Sequence, residues 1–332
     1  MDWEKLVSDL QLSSASISLA LNFILILLII KKSPEQMGSY RYLMIYVALF
    51  EIFYSVVDVF VSPTVFSYKT MFLVIVSSKN HTFFKFPLYL SACLWCACFG
   101  AFMPIFCIQF IYRYFVVVGS NKIKTFNDYR IVFWIMSPII FGTLWGTNIY
   151  FFMGPNAETD HILQDVVLTE LNLNIKDVSY IGPHIHVTPN GDFAIDTDSL
   201  IANSFMIVIV IFSFSCMFIL AIKTFMRIKN TLNVSTMSNK NKRLQSQTFY
   251  ALVTQTLIPV ILMHFPCLTV ISPAMMGVDI GHSSGIASIT CAMFPALDPL
   301  PVMLIIQNYR GTLFSVISTP VNIFVRRQTR SK

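Results

Sequence analysis

Three carboxylates sit in surroundings that resist them. Glu51 and Asp58 fall within YLMIYVALFEIFYSVVDVFVS, and Asp298 within FPALDPLPVMLII. An acid carried into an apolar medium is costly unless it is paired, protonated or hydrated. Seven residues apart on a helix, Glu51 and Asp58 share one face about 10 Å from each other. Asn22, midway along an earlier apolar run, is placed to join Glu51 and Asp298 in a polar cluster. Such a cluster can act as a switch whose packing differs between two states. Asp58 is expected instead at the outer water boundary.

Other reactive side chains point to no reaction. The six histidines form no H-x-x-x-H pair, and the seven cysteines lie in or beside apolar runs without metal-finger spacing. A thiol in such a run behaves as a small apolar group. Gly281-His-Ser-Ser-Gly285 matches G-x-S-x-G, but that pattern makes a nucleophile only on a strand-turn-helix elbow. No metal, cofactor, nucleic-acid or enzymatic function is expected.

The elements that hold these residues are membrane spans. Of 332 residues, 55% are hydrophobic and 12% charged, about half the charge usual for a water-coated domain. A span needs about 20 mainly apolar residues. Seven stretches qualify, at about 13–30, 42–62, 87–112, 130–152, 199–222, 246–271 and 284–306. The expected fold is an all-α seven-helix bundle forming a single membrane domain over 1–332. The patch TMFLVIV (70–76) is too short to cross and reads as a loop element or an extension of the second span. The N-terminus has Asp2, Glu4 and Asp9 against Lys5, unlike the basic start of a signal peptide.

Lys and Arg set the orientation. With the N-terminus outside and the C-terminus inside, 18 of the 23 basic residues fall on the inner side. Only an odd number of spans allows that arrangement. The segment 153–198 then becomes a large outer loop, carrying eight acids against Lys176. Its first part has helical spacing (Ile162, Val166 and following Leu residues), and HIHVTPNGDFAID alternates around Asn190-Gly191, a hairpin signal. Together they suggest a folded lid. Asn80-His-Thr in the first outer loop is a candidate glycosylation site. Residues 307–332 form the inner tail.

Prolines mark bends: Pro259 and Pro266 in the sixth span, Pro295, Pro299 and Pro301 in the seventh. Gly142-x-x-x-Gly146 is read as close packing inside the bundle rather than a dimer face. Depth alone nominates Trp145, Asn148, Asn203, Phe205, Met206 and His264 as pocket residues near outer helix ends. An apolar lining with few polar groups would suit a small volatile ligand. For His264, packing among neighbours is the more common role of such a residue.

Four segments, KSPEQMGSYRYLMIYVALFEIFYSVVD, FIYRYF, QTFYALVTQTLIP and FPALDPLPVMLIIQNYR, resemble the nematode str class of serpentine chemoreceptors, in order and at matching spacing. The resemblance implies a plasma-membrane receptor of sensory neurons, the cilium included, that couples an odorant or other environmental small molecule to a heterotrimeric G protein. It implies that Arg113, between Tyr112 and Tyr114, engages the G protein or locks the resting state. Asp298-Pro299 resembles the Asn-Pro turn of related seventh helices, and Tyr309-Arg310 the exit to a short membrane-surface helix over 311–325. The chain departs from the broader rhodopsin pattern: Tyr112 stands where an acid would precede Arg113, and neither the long loop nor the tail contains Cys.

Two other classes fit less well. An odorant-receptor-type cation channel has its N-terminus inside, against the charge split. A secondary transporter would show internal repeats, and none is present.

Overall fold

The computed structural model describes residues 3–68, 71–78, 87–171, 173–183, 185–187, 193–195, 197–234, 238–276, 278 and 280–315. Among them are seven helical spans long and apolar enough to cross a membrane. The first five are α1 (Trp3–Lys32), α2 (Tyr40–Val61), α3 (Leu88–Val118), α4 (Ile131–Phe152) and, after the short α5 (Ala157–Leu171), α6 (Thr197–Val234). The sixth runs through α7 (Asn239–Pro259), a π turn (Val260–His264) and α8 (Phe265–Met275). The seventh is α9 (Ile286–Leu297) and α10 (Pro299–Ile305), and a further helix, α11, covers 307–315. Helices satisfy their own backbone groups, the condition for crossing lipid.

The third helix is the axis. It packs on α2, α4 and α6, and most of its side chains from Ser91 to Arg113 are buried. The perimeter is the reverse: α6 turns Ile207, Val208, Ile211, Phe212, Phe218 and Ile219 outward. A face that apolar suits lipid, not water.

Close approach of α3 and α4 depends on two glycines. A Cβ at Gly142 would stand 2.8 Å from the Ala97 carbonyl oxygen and 3.0 Å from Ala101 Cβ. One at Gly146 would stand 3.0 Å from Ala97 Cβ. The GxxxG pair therefore packs within the bundle, as its spacing suggests. Gly142→Val is expected to lower the melting temperature of the purified chain and its amount at the cell surface, through overpacking of about 1–3 kcal/mol. Gly311→Ala, at a position with no atom within 4 Å, is the control and should change neither.

One end of the bundle is roofed by a sheet. Strands β1 (Thr64–Tyr68), β2 (Met71–Ser77) and β3 (Val178–Ile181) pair antiparallel in that order. Met71–Val76 of the patch TMFLVIV thus lie in a strand, not in an extension of the second helix. Both faces of this sheet are covered, which explains an apolar run without alternation. Val65, Val74, Val76 and Ile181 join the bundle core, while Phe66, Leu73, Ile75 and Tyr180 pack with Leu163, Val166 and Val167 of α5. Tyr180 donates to Asp160 Oδ1 at 2.8 Å, and burial raises its hydroxyl pKa well above the usual range.

Among the described residues, the other edge of β1 has no strand neighbour. Its backbone N–H groups are satisfied by the start of the seventh span: Val65 donates to Ser288 Oγ at 2.7 Å and Ser67 to Ser284 Oγ at 3.0 Å. The roof is held by these bonds and by packing; all seven cysteines are free thiols. Ser284 belongs to the GHSSG segment, a 3-10 turn rather than a nucleophile elbow. Strands β4 (Ile185–Val187) and β5 (Phe193–Ile195) form the second, two-stranded hairpin anticipated in the long loop; its Asn190-Gly191 turn lies outside the described residues.

Candidate functional site

Polar side chains gather at three depths along the bundle. At the end opposite the roof, Arg113 stands in the last turns of α3 with only 2% of its surface exposed. Its guanidinium carbon is 3.5 Å from the centre of the Tyr40 ring, and Nη1 donates to Gln245 Oε1 at 3.2 Å. Nε and Nη2 have no acceptor. Tyr40 donates to Gln109 at 3.0 Å and stacks on Tyr112 at 5.4 Å. Tyr112 in turn donates to the Met37 carbonyl at 3.2 Å, tying α3 to the turn before α2. Tyr114 is only half-buried. Arg113 is therefore sequestered between α2, α3 and α7.

At mid-depth lies the expected polar cluster. Asn22 donates to the Pro295 carbonyl at 3.0 Å and to Ser18 Oγ at 3.3 Å. Ser55 Oγ lies 2.7 Å from Ser18 Oγ and 2.8 Å from the Glu51 carbonyl oxygen. Glu51 faces both Asp298 and Asn22, and Gln255 Nε2 donates to Asp298 Oδ2. Asn22, Glu51 and Asp298 are all buried. Asn22 Oδ1, both Glu51 oxygens and Asp298 Oδ1 lack donors. Two carboxyl groups meeting in a dry site repel until a proton or a countercharge lies between them. The cluster joins α1, α2, α7 and the break between α9 and α10, where Asp298 separates the two helices and Pro299 starts the second.

Near the roof, the structure corrects the reading of Asp58. It is 1% exposed rather than at a water boundary, and its Oδ1 accepts from the Trp95 indole N–H at 2.8 Å. Side chains from neighbouring helices, Trp95 and Cys98 of α3 and Cys291 of α9, crowd the carboxyl group and exclude the water that depth alone suggested. His264 closes the π turn, its ring 4.9 Å from Phe99 and 5.0 Å from Phe214, with Nδ1 3.1 Å from the Pro259 carbonyl.

The remaining pocket candidates divide. Trp145 is buried against Gly100, where a Cβ would come within 2.6 Å of it. Asn148 donates to the Ala202 carbonyl at 3.2 Å, joining α4 to α6. Asn203 is half-buried and Met206 packs on the core. Phe205 is a correction: it is 42% exposed on the outside of the bundle. Ala202, Ser213 and Met217 mark the inward stripe of α6, and Phe205 falls off that stripe. Asn80 lies outside the described residues, as does the tail beyond residue 315; the helix expected over 311–325 is present from 307 to 315. Trp95, Gln245 and Gln255 were not singled out from the sequence. Gln255 stood inside QTFYALVTQTLIP, where an amide in an apolar run was the available signal, whereas Gln245, in the polar stretch NKNKRLQS before it, gave none.

The chain matches the family model of the serpentine type 7TM GPCR chemoreceptor Str over residues 8–314. It is 34% identical over 313 residues to the Caenorhabditis elegans G-protein coupled receptor str-217, covering 92% of this chain and 88% of that protein. It is 26% identical over 316 residues to serpentine receptor class r-10 of the same nematode, covering 95% and 92%. Serpentine receptor class J-38 is 22% identical over 303 residues.

Proposed function

This chain belongs to the Str family of serpentine seven-transmembrane GPCR chemoreceptors, a multi-pass membrane protein, and from that premise we propose that it binds an environmental small molecule, olfactory in type, at the roofed end and activates a heterotrimeric G protein at the Arg113 end. The roofed end then faces outside and the basic loops inside. The observation that carries the reading is the sequestered Arg113, held to Tyr40 and Gln245 across α2, α3 and α7. A cation so held, with two nitrogens unpartnered, is a latch that can change partners when the sixth span moves.

Asn22, Glu51, Asp298 and Pro299 form the switch that relays movement from the roofed end. They sit where α1, α2 and α7 meet the break in the seventh span, so a shift in that break changes which carboxyl oxygens find donors. Tyr112 and Tyr114 flank the latch, the first as a fixed support and the second as part of the coupling surface. His264 and Trp145 border the ligand site, with Asn148, Asn203 and Met206 along its α4–α6 side.

Orientation is the first test. Epitope tags at each end, stained before and after permeabilisation, should place the N-terminus outside and the C-terminus inside. Asn80→Gln should remove one glycan from the mobility of the wild-type chain. An inside N-terminus would exclude G-protein coupling at the Arg113 end and favour a conductance measurement. Coupling itself is read by second-messenger output in cells expressing the full chain.

A further inference from the structure

Beneath the roof, one acceptor is left bare. Asp58 sits one helical turn before the end of α2, with Oδ1 bound by Trp95 and Oδ2 buried without a partner. Among the described residues, the groups facing it are Tyr54 from α2, Trp95 and Cys98 from α3, and Cys291 from α9; Cys267 of α8 lies against Cys291. None carries positive charge.

A second bare acceptor lies on the sixth span. His264 Nδ1 is near the Pro259 carbonyl, which can only accept, so Nδ1 holds the ring proton. The neutral ring then leaves a lone pair on Nε2, which is buried and without a partner. His264 is three residues from Cys267 on the sixth span, and its ring touches Phe99, one helical turn from Trp95 on α3. Asp58 thus meets Trp95 and Cys291 beneath the roof, and His264, against Phe99, stands about one turn deeper along α3; among these described residues there are two bare acceptors and no cation.

We propose that Asp58 anchors the polar head of the ligand, and that the ligand class is a small protonated amine. This rests on the receptor reading above and names the chemistry of its site. An acceptor-only pair calls for a donor, and an ammonium group supplies both N–H donors and the countercharge a buried carboxylate lacks. Tyr54 and Trp95 stand beside Asp58, and aromatic rings are the side chains that attract a cation. The alkyl body lies among Phe99, Phe214 and the cysteines. The roof keeps water from competing for Asp58, so the charge-assisted bond keeps its strength.

The test uses hexylamine, 1-hexanol and 2-hexanone on the purified full chain in nanodiscs and on cells expressing it. Hexylamine should stabilise the wild-type chain against heat and drive signalling, and the alcohol and ketone should do so weakly. Asp58→Asn keeps an acceptor for Trp95 but turns a donor toward the ligand. It should lose roughly tenfold or more in hexylamine potency and gain response to 2-hexanone, a gain that misfolding cannot produce. Trp95→Phe, which frees the carboxylate to rotate, should weaken hexylamine by less than Asp58→Asn does. An unchanged hexylamine response in Asp58→Asn overturns the proposal. A wild-type preference for alcohol or ketone that survives Asp58→Asn overturns the anchor and keeps the receptor. Silence toward all three probes also overturns the anchor, while basal coupling lost in Arg113→Ala decides the receptor reading separately.

Discussion

Arg113→Ala is expected to abolish ligand-driven signalling, by roughly 100-fold or more, while leaving the chain at the cell surface. The guanidinium holds two partners, the Tyr40 ring and Gln245 Oε1. Tyr40 keeps its bond to Gln109 when the guanidinium is gone, and Gln245 is only half-buried. No deep polar group is orphaned by the change, so the fold should survive it. Gln245→Leu should do the opposite of Arg113→Ala. It deletes the hydrogen bond that secures Arg113 in this arrangement but leaves the arginine free for the alternative one. A bond to a charged group contributes about 1.5–3 kcal/mol, enough to move a two-state population roughly tenfold or more toward the active form. Basal second-messenger output, normalised to surface staining, should therefore rise in Gln245→Leu and fall in Arg113→Ala. Full signalling by Arg113→Ala would remove the latch from the mechanism, and two changes of the same sign would show that Gln245 merely supports the fold.

Helices and central acids were legible in the sequence for one reason: both signals are local. Apolar runs announce spans because lipid demands them, and Glu51 or Asp298 stands out against such a run because an acid there is costly. The roof was harder. TMFLVIV reads as a short apolar patch, and only pairing with Val178–Ile181, about a hundred residues away in the chain, shows it to be a strand with two covered faces. Asp58 was misjudged for a like reason, since Trp95, Cys98 and Cys291, which crowd it, come from distant parts of the chain. Phe205 was misplaced because depth along a helix says nothing of rotation about its axis; Ala202, Ser213 and Met217 reveal that rotation only once the bundle is assembled. The partners of Arg113 came from α2 and α7, and no spacing within FIYRYF points to either.

The polar centre leads to a prediction in which two similar changes part company. Asp298→Leu should sharply reduce both thermal stability and surface amount, whereas Asp298→Asn should be tolerated or stabilising. The leucine leaves the buried Gln255 amide without its acceptor and removes the carboxyl group that Glu51 faces, with Asn22 remaining beside it. An orphaned buried polar group costs about 1–3 kcal/mol, and here two are left together. Asparagine keeps an oxygen for Gln255 and turns an N–H toward the Glu51 oxygens that have no donor. That bond removes the repulsion between two facing acids without a proton, so the resting arrangement should become harder to leave. Ligand-driven signalling in Asp298→Asn should then fall several-fold even as the melting temperature rises, and Glu51→Gln should behave alike because it supplies the same donor from the other side. Equal stability of the leucine and asparagine variants would mean that the carboxyl pair is not what joins the seventh span to α2 and α7. A stable asparagine variant with undiminished signalling would keep the pair as a structural joint and remove it from the switch.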